Sequence, residues 1–126
     1  MADRPIFVFG SNLAGAHHGG SAKYAHTERG AAWGVGVGRT GGAYALPTLD
    51  ENLQQIPIDE IRDYVAQFLD YARVHHDRQF EVVAIGCGIA GFTIAQMAPL
   101  FVDVPPNVRF LDAEFARAVT KSGGRR

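Results

Sequence analysis

Two glycine-rich segments hold the residue types best suited to chemistry. Gly10-Ser11-Asn12-Leu13-Ala14-Gly15 runs on to Gly19-Gly20-Ser21-Ala22, and Gly86-Cys87-Gly88-Ile89-Ala90-Gly91-Phe92 follows much later in the chain. Successive backbone N–H groups in tight glycine turns form concave nests, and a helix N-terminus adds partial positive charge, so such loops hold phosphates without lysine. Two of them on one sheet edge suit a diphosphate with a sugar at either end, as in a nucleotide or nucleotide sugar. The competing explanation is close strand–helix packing. Ten of the fifteen glycines fall between Gly10 and Gly42, more than packing alone would need.

Side chains around these loops widen the choice. The Asn12 amide both donates and accepts, which fits ribose hydroxyls, but it fits an Asx turn equally well. His18 lies inside the first loop, within reach of phosphate or ribose, unless it is simply solvated. Asp50 follows Pro47-Thr48-Leu49 and either binds an adenine amino group or ribose, or starts a turn. Asn12, His18 and Asp50 are also the candidates to orient water in a hydrolytic reaction. Cys87 sits between glycines near an expected helix start, a setting that lowers a thiol's pKa, although a small side chain in a tight turn explains it too. Trp33, Tyr44 and Phe92 flank the glycine segments, where an aromatic ring stacks on adenine or fills the core. Core is the expectation for Tyr44 and Trp33. His17-His18 and His75-His76 are adjacent pairs, which rarely converge on one metal, and the second pair is expected at the surface. No motif calls for a metal or a cofactor.

The elements that position these residues follow from periodicity. Ile6 to Phe9 is an unbroken apolar run, expected as a strand buried on both faces, and a helix is expected over about His18 to Arg29. Gly34 to Gly42 looks like a flexible loop, followed by a strand Ala43 to Leu46 stopped at Pro47. Ile58, Ile61, Val65, Phe68, Leu69 and Ala72 repeat at helical spacing, with Asp59 and Glu60 in the first turn and Arg73 near the last, predicting a helix from Ile58 to His76. A strand Phe80 to Ile85, a short helix Ala95 to Phe101 holding Pro99, and a strand Val108 to Leu111 complete the pattern. Residues 1–5 and 121–126 are expected to be flexible. Strands alternating with helices predict a single α/β domain with a mainly parallel sheet, covered on both faces, whose ligand site lies beyond the carboxyl ends of the strands.

Composition narrows the function. Across 126 residues, 47 % are apolar and 20 % charged, as in an ordinary globular core. A net charge of −1 offers no general field for nucleic acid or anionic membrane. One cysteine excludes an internal disulfide and a cysteine-rich zinc site. No apolar run approaches the roughly 18 residues of a membrane span, and Met1-Ala2-Asp3-Arg4-Pro5 lacks a signal peptide's apolar stretch, so the expected location is cytoplasmic.

Two literal Gly-x-Gly-x-x-Gly strings occur, Gly36 to Gly41 and Gly86 to Gly91. A strand rather than a helix follows the first, which disqualifies it as a dinucleotide fingerprint. The second is preceded by a strand, followed by a short helix, and trailed by Asp112 in the place of a ribose-binding acid, which keeps open an NAD-binding oxidoreductase or sensor. Against that, Pro99 shortens its helix and no further strand–helix half follows. No Walker A string occurs.

Phe7-Val8-Phe9-Gly10-Ser11-Asn12-Leu13-Ala14-Gly15, Gly19-Gly20-Ser21-Ala22, Tyr44-Ala45-Leu46-Pro47-Thr48 and Ile85 to Phe92 together resemble a macrodomain-like family of small proteins common in bacteria and their phages. The resemblance spans about Ile6 to Phe115. It implies a three-layer α/β/α sandwich with a mainly parallel or mixed sheet that binds ADP-ribose or a related NAD-derived nucleotide. Asn12, Gly19 and Gly20 look like the distal-ribose segment, and Gly86 to Phe92 like the diphosphate loop. The implied ligand-binding set is Gly10, Ser11, Asn12, Leu13, Gly15, His18, Gly19, Gly20, Ala22, Pro47, Thr48 and residues 86–92. Ile85-Gly86-Cys87-Gly88 is most similar to the branch that removes ADP-ribose from acidic side chains or nucleic-acid bases by means of an aspartate and a lysine. Here Ala90 stands at the aspartate position, and Leu46-Pro47-Thr48-Leu49 holds no lysine. The resemblance thus implies binding and leaves an ADP-ribosyl hydrolase as the alternative.

Overall fold

The structure, a computed structural model, describes residues 3–125. Met1, Ala2 and Arg126, part of the ends expected to be flexible, lie outside the described residues. The elements are β1 (Ile6–Asn12), α1 (Gly20–Glu28), β2 (Gly38–Thr40), β3 (Ala43–Leu49), α2 (Ile58–Val74), β4 (Phe80–Val82), α3 (Ile94–Met97) followed by a 3-10 turn (Ala98–Leu100), β5 (Val108–Phe110) and α4 (Ala113–Lys121). The five strands form one sheet in the order β2-β3-β1-β4-β5. All pairings are parallel except β2 with β3, so the sheet is mixed but mostly parallel.

Side-chain alternation along β1 and β3 divides the core. Phe7, Phe9, Ala43 and Ala45 face Ala22 and Ala25 of α1. Ile6, Val8, Tyr44 and Leu46 face the opposite layer, where α2 supplies Ile61, Val65, Phe68 and Leu69, and α4 supplies Phe115 and Val119. Helices thus cover both faces, the expected three-layer α/β arrangement. Asn107 secures the far side of this packing. Its buried amide donates to the carbonyls of Ala72, His75 and Arg78, tying the end of α2 to the start of β5.

Several boundaries differ from expectation for physical reasons. Pro47 does not stop β3. It pairs with Ser11 beside a register shift in β1, beyond the end of the short edge strand β2, where no neighbour needs its missing N–H. The expected loop from Gly34 to Gly42 contains β2. The expected strand to Ile85 ends at Val82; Val83 N still donates to Val8 O at 3.2 Å, and the chain leaves the sheet from Ala84. Asp112 is the N-cap of α4, accepting from Phe115 N at 2.8 Å. The tail, expected to be flexible, is docked through Arg125. Gly124 N donates to Val119 O, and the Arg125 guanidinium donates to the carbonyls of Pro105 and Val108 on the outer edge of the sheet. Among the described residues no helix is long and apolar enough to cross a membrane.

Candidate functional site

β1 and β4 are neighbours whose connections leave in opposite directions, β1 toward β3 and β4 toward β5. Such a switch point opens a crevice beyond the strand ends, and the two glycine segments both start there. Between them lies a cavity of about 570 Å³. That is within the roughly 300–1,000 Å³ typical of small-molecule sites.

The first wall is the β1–α1 segment. Asn12 braces it: Nδ2 donates to Ala16 O at 2.8 Å and Oδ1 accepts from Ala16 N at 3.0 Å. Each end of the amide keeps one further hydrogen-bonding site. Ser11 Oγ donates to Gly36 O at 2.6 Å and fixes the end of β1. α1 opens at Gly19 in extended backbone with no side chain capping it, so the first-turn N–H groups beside Gly20, Ser21 and Ala22 meet the cavity without a protein partner from a cap.

The second wall is the β4–α3 segment. Phe92 N returns to Gly86 O at 2.9 Å and Gly91 N to Gly88 O at 3.1 Å, closing a tight loop. Gly86 is at φ +75° and Gly91 at φ +80°, values that favour glycine. The N–H groups of Gly86, Gly88, Ile89 and Ala90, all in residues that line the cavity, donate to no protein atom among the described residues. Ile89 is 75 % exposed, yet its Cδ1 lies 3.4 Å and 3.3 Å from where a Cβ on Gly19 and Gly20 would stand. The two walls therefore meet through one side chain.

Of the residues singled out from sequence, Gly10, Ser11, Asn12, His18, Gly19, Gly20, Ala22, Thr48 and residues 86–90 line the cavity. Leu13, Gly15, Pro47, Gly91 and Phe92 do not. Leu13 packs against the core, and Phe92 belongs to it. Gly15 sits at φ +69° against the backbone of Gly34, where any Cβ would overlap. Asp50 also lies outside. Its Oδ1 accepts from Asn52 N at 2.8 Å and Gln54 N at 3.0 Å, which makes it the anchor of a turn. That turn holds Leu53 at φ +61° on the cavity rim. Leu53 was missed in the sequence, as were Ala16, Ser21, Leu49, Val83 and Ala84. The turn reading of Asp50 hinted at Leu53, and Ser21 stands inside the Gly19-Gly20-Ser21-Ala22 motif, though not among its expected contacts.

One further expectation, Trp33 as core, is corrected, and two alternatives left open by the sequence, at Cys87 and Asp112, meet specific geometry. Cys87 lines the cavity, but burial, then the carboxylates of Asp112 and Glu114, push its thiol pKa up, so it is held protonated rather than activated. Trp33 is half exposed instead of core, with its ring 4.8 Å from His18 and 5.8 Å from His17 in edge-to-face contacts. Asp112 caps α4 and does not reach the cavity, and α3 begins only after Gly91, at the Thr93 capping box. A short helix does follow the Gly86 to Gly91 string, as expected, but it opens after the last glycine rather than within the string, and Asp112 is engaged as a helix cap. Tyr44 is core, as expected. His76 is exposed, while His75 stacks on Tyr71 at 3.9 Å.

Among the described residues, the cavity lining includes no Asp, Glu, Lys or Arg. No group of His, Cys, Asp and Glu that would hold a metal ion occurs among them either. No family model, curated protein or solved structure matches the chain.

Proposed function

We propose that this chain is a binding module for ADP-ribose or a related NAD-derived nucleotide. What carries the proposal is a single cavity bordered by both a helix N-terminus without a side-chain cap and a loop in which four N–H groups have no protein acceptor among the described residues, its described lining holding no Asp, Glu, Lys or Arg. Such a site favours an anion through fixed backbone dipoles. The loop of residues 86–90 would cradle the diphosphate, and Asn12, Gly19 and Gly20 would meet the distal ribose. Leu49, Leu53, Val83 and Ala84 provide apolar wall for the flat or carbon-rich parts of the ligand.

The lining also supports binding over turnover. Its titratable side chains are His18, on the exposed rim, and the protonated Cys87 thiol. An ADP-ribosyl hydrolase built on this cavity would rely on His18 to orient water, and stoichiometric protein leaving ADP-ribosylated protein and nucleic acid intact over hours would exclude it.

Calorimetric titration with ADP-ribose beside NAD, AMP and ribose 5-phosphate tests the proposal. Micromolar ADP-ribose binding, with NAD and AMP at least tenfold weaker, is expected. Preference for NAD, or no heat from any of the four, contradicts it.

A further inference from the structure

A second cavity, of about 380 Å³, lies at the opposite edge of the sheet, where the parallel strands begin. Pro5 precedes β1, Gly41 and Gly42 lead into β3, Arg78 stands just before β4, and Arg29 caps the end of α1. β1 spans seven residues, so roughly 20 Å separates this cleft from the glycine-loop cavity. Its chemistry is the reverse of the first. Arg4, Arg29, Arg39 and Arg78 line it, against two exposed carboxylates, Asp3 and Glu28.

The guanidinium groups are held in place but incompletely neutralised. The Arg29 side chain is only 4 % exposed. Its Nη2 donates to Pro5 O, its Cζ lies 5.3 Å from the centroid of the Phe7 ring, and its nearest carboxylate is Glu81 at 3.9 Å. Glu81 is shared with Arg109, which holds it more closely at 3.0 Å. Arg39 is positioned by neutral acceptors, Gly41 O at 3.2 Å and Tyr71 Oη at 3.3 Å. Arg78 Nε is buried without a hydrogen bond, and the closest carboxylate oxygen, Asp3 Oδ2, is 3.5 Å away. Among the described residues, Arg4 and Arg39 form no ion pair. Buried or clustered guanidinium groups are costly without counter-charge, and their planar forks match tetrahedral oxyanions bidentately.

We infer that this cleft is a second anion site, specific for a compact phosphate dianion, either inorganic phosphate or the terminal group of a phosphomonoester. Arg39 and Arg78 would grip the oxygens while Arg29, fixed by Pro5 and Phe7, supplies field from behind. The inference is independent of the glycine-loop cavity, which takes its anion by backbone donors alone.

Amide NMR titration of the full chain tests it, using inorganic phosphate, glycerol 3-phosphate and dimethyl phosphate, each against sodium chloride at matched ionic strength. Saturable shifts at Ile6, Gly41 and Gly42 with the first two probes, at least tenfold weaker with the monoanionic diester, are expected. A response to inorganic phosphate alone assigns the site to the free ion, and a response to both admits phosphomonoesters. In Arg39→Ala the affinity should fall at least tenfold, with Arg39→Lys intermediate. Arg39 is exposed, so unchanged spectra elsewhere will establish that both variants fold. Shifts no larger than those with chloride, or full affinity in Arg39→Ala, overturn the inference.

Discussion

The side chain of Ile89 rests on the backbone of Gly20, with Cδ1 3.3 Å from where a Cβ of Gly20 would be. This contact bridges two cavity-lining segments that are far apart in sequence. One exposed apolar side chain at such a bridge contributes little to folding, and it is expected to slow the departure of a bound ligand. Ile89→Ala is expected to change stability by less than about 0.5 kcal/mol and to weaken nucleotide binding about tenfold, chiefly through faster dissociation. Thermal denaturation and stopped-flow displacement measure the two effects.

Gly86 and Gly88 should separate folding from binding. A Cβ on Gly88 would meet nothing within 4 Å, whereas Gly86 is at φ +75° with Met97 Cε 3.1 Å from such a Cβ. Gly88→Val is expected to keep the native melting temperature within a few degrees and to abolish measurable ligand binding, because only a ligand is left for it to obstruct. Gly86→Ala is expected to cost about 1–2 kcal/mol of stability from the left-handed backbone alone. Unfolding curves and calorimetry on the same samples distinguish them.

The Cys87 thiol provides a local probe of charge. Its pKa is raised by burial and by the nearby Asp112 and Glu114 carboxylates, so at pH 8 its alkylation by iodoacetamide should be slower than that of a free cysteine. Asp112→Asn keeps a competent helix cap but removes one negative charge, which lowers the thiol pKa and increases the alkylation rate. Bound nucleotide should slow the reaction in both proteins.

Tyr44 predicts alkaline sensitivity. Burial, then Tyr71, raises its pKa from 10.0 to about 12. The folded state therefore retains a proton that the unfolded chain releases, and the associated stability is present in full below pH 10 and lost between about pH 10 and 12. The loss is about 2–3 kcal/mol. Urea denaturation across that window should show the decline, and Tyr44→Phe should flatten it.

How far the sequence reveals this architecture depends on the kind of signal. The α2 helix is legible because Ile61, Val65, Phe68, Leu69 and Ala72 all point to one layer and are all buried. β1 is legible as an apolar run, although its continuation through Ser11 and Asn12 is hidden by polar residues that the bulged end of the strand accommodates. α4 escapes notice because Phe115 and Val119 are its only fully buried residues and the basic, glycine-containing end of the chain looks like a free tail. The site divides the same way. Glycines after a strand mark both loops, whereas Val83, Ala84 and Leu53 reach the cavity only because of where β4 ends and how the chain turns around Asp50, which is tertiary geometry without a local pattern.

The most direct test of the central claim is where ADP-ribose lands. Amide NMR of the full chain with saturating ADP-ribose should shift Gly86, Gly88, Ile89 and Ala90 together with Gly20, Ser21 and Ala22, leaving Gly41 and Gly42 nearly unmoved. Shifts confined to other surfaces, or none at millimolar ligand, would contradict the account.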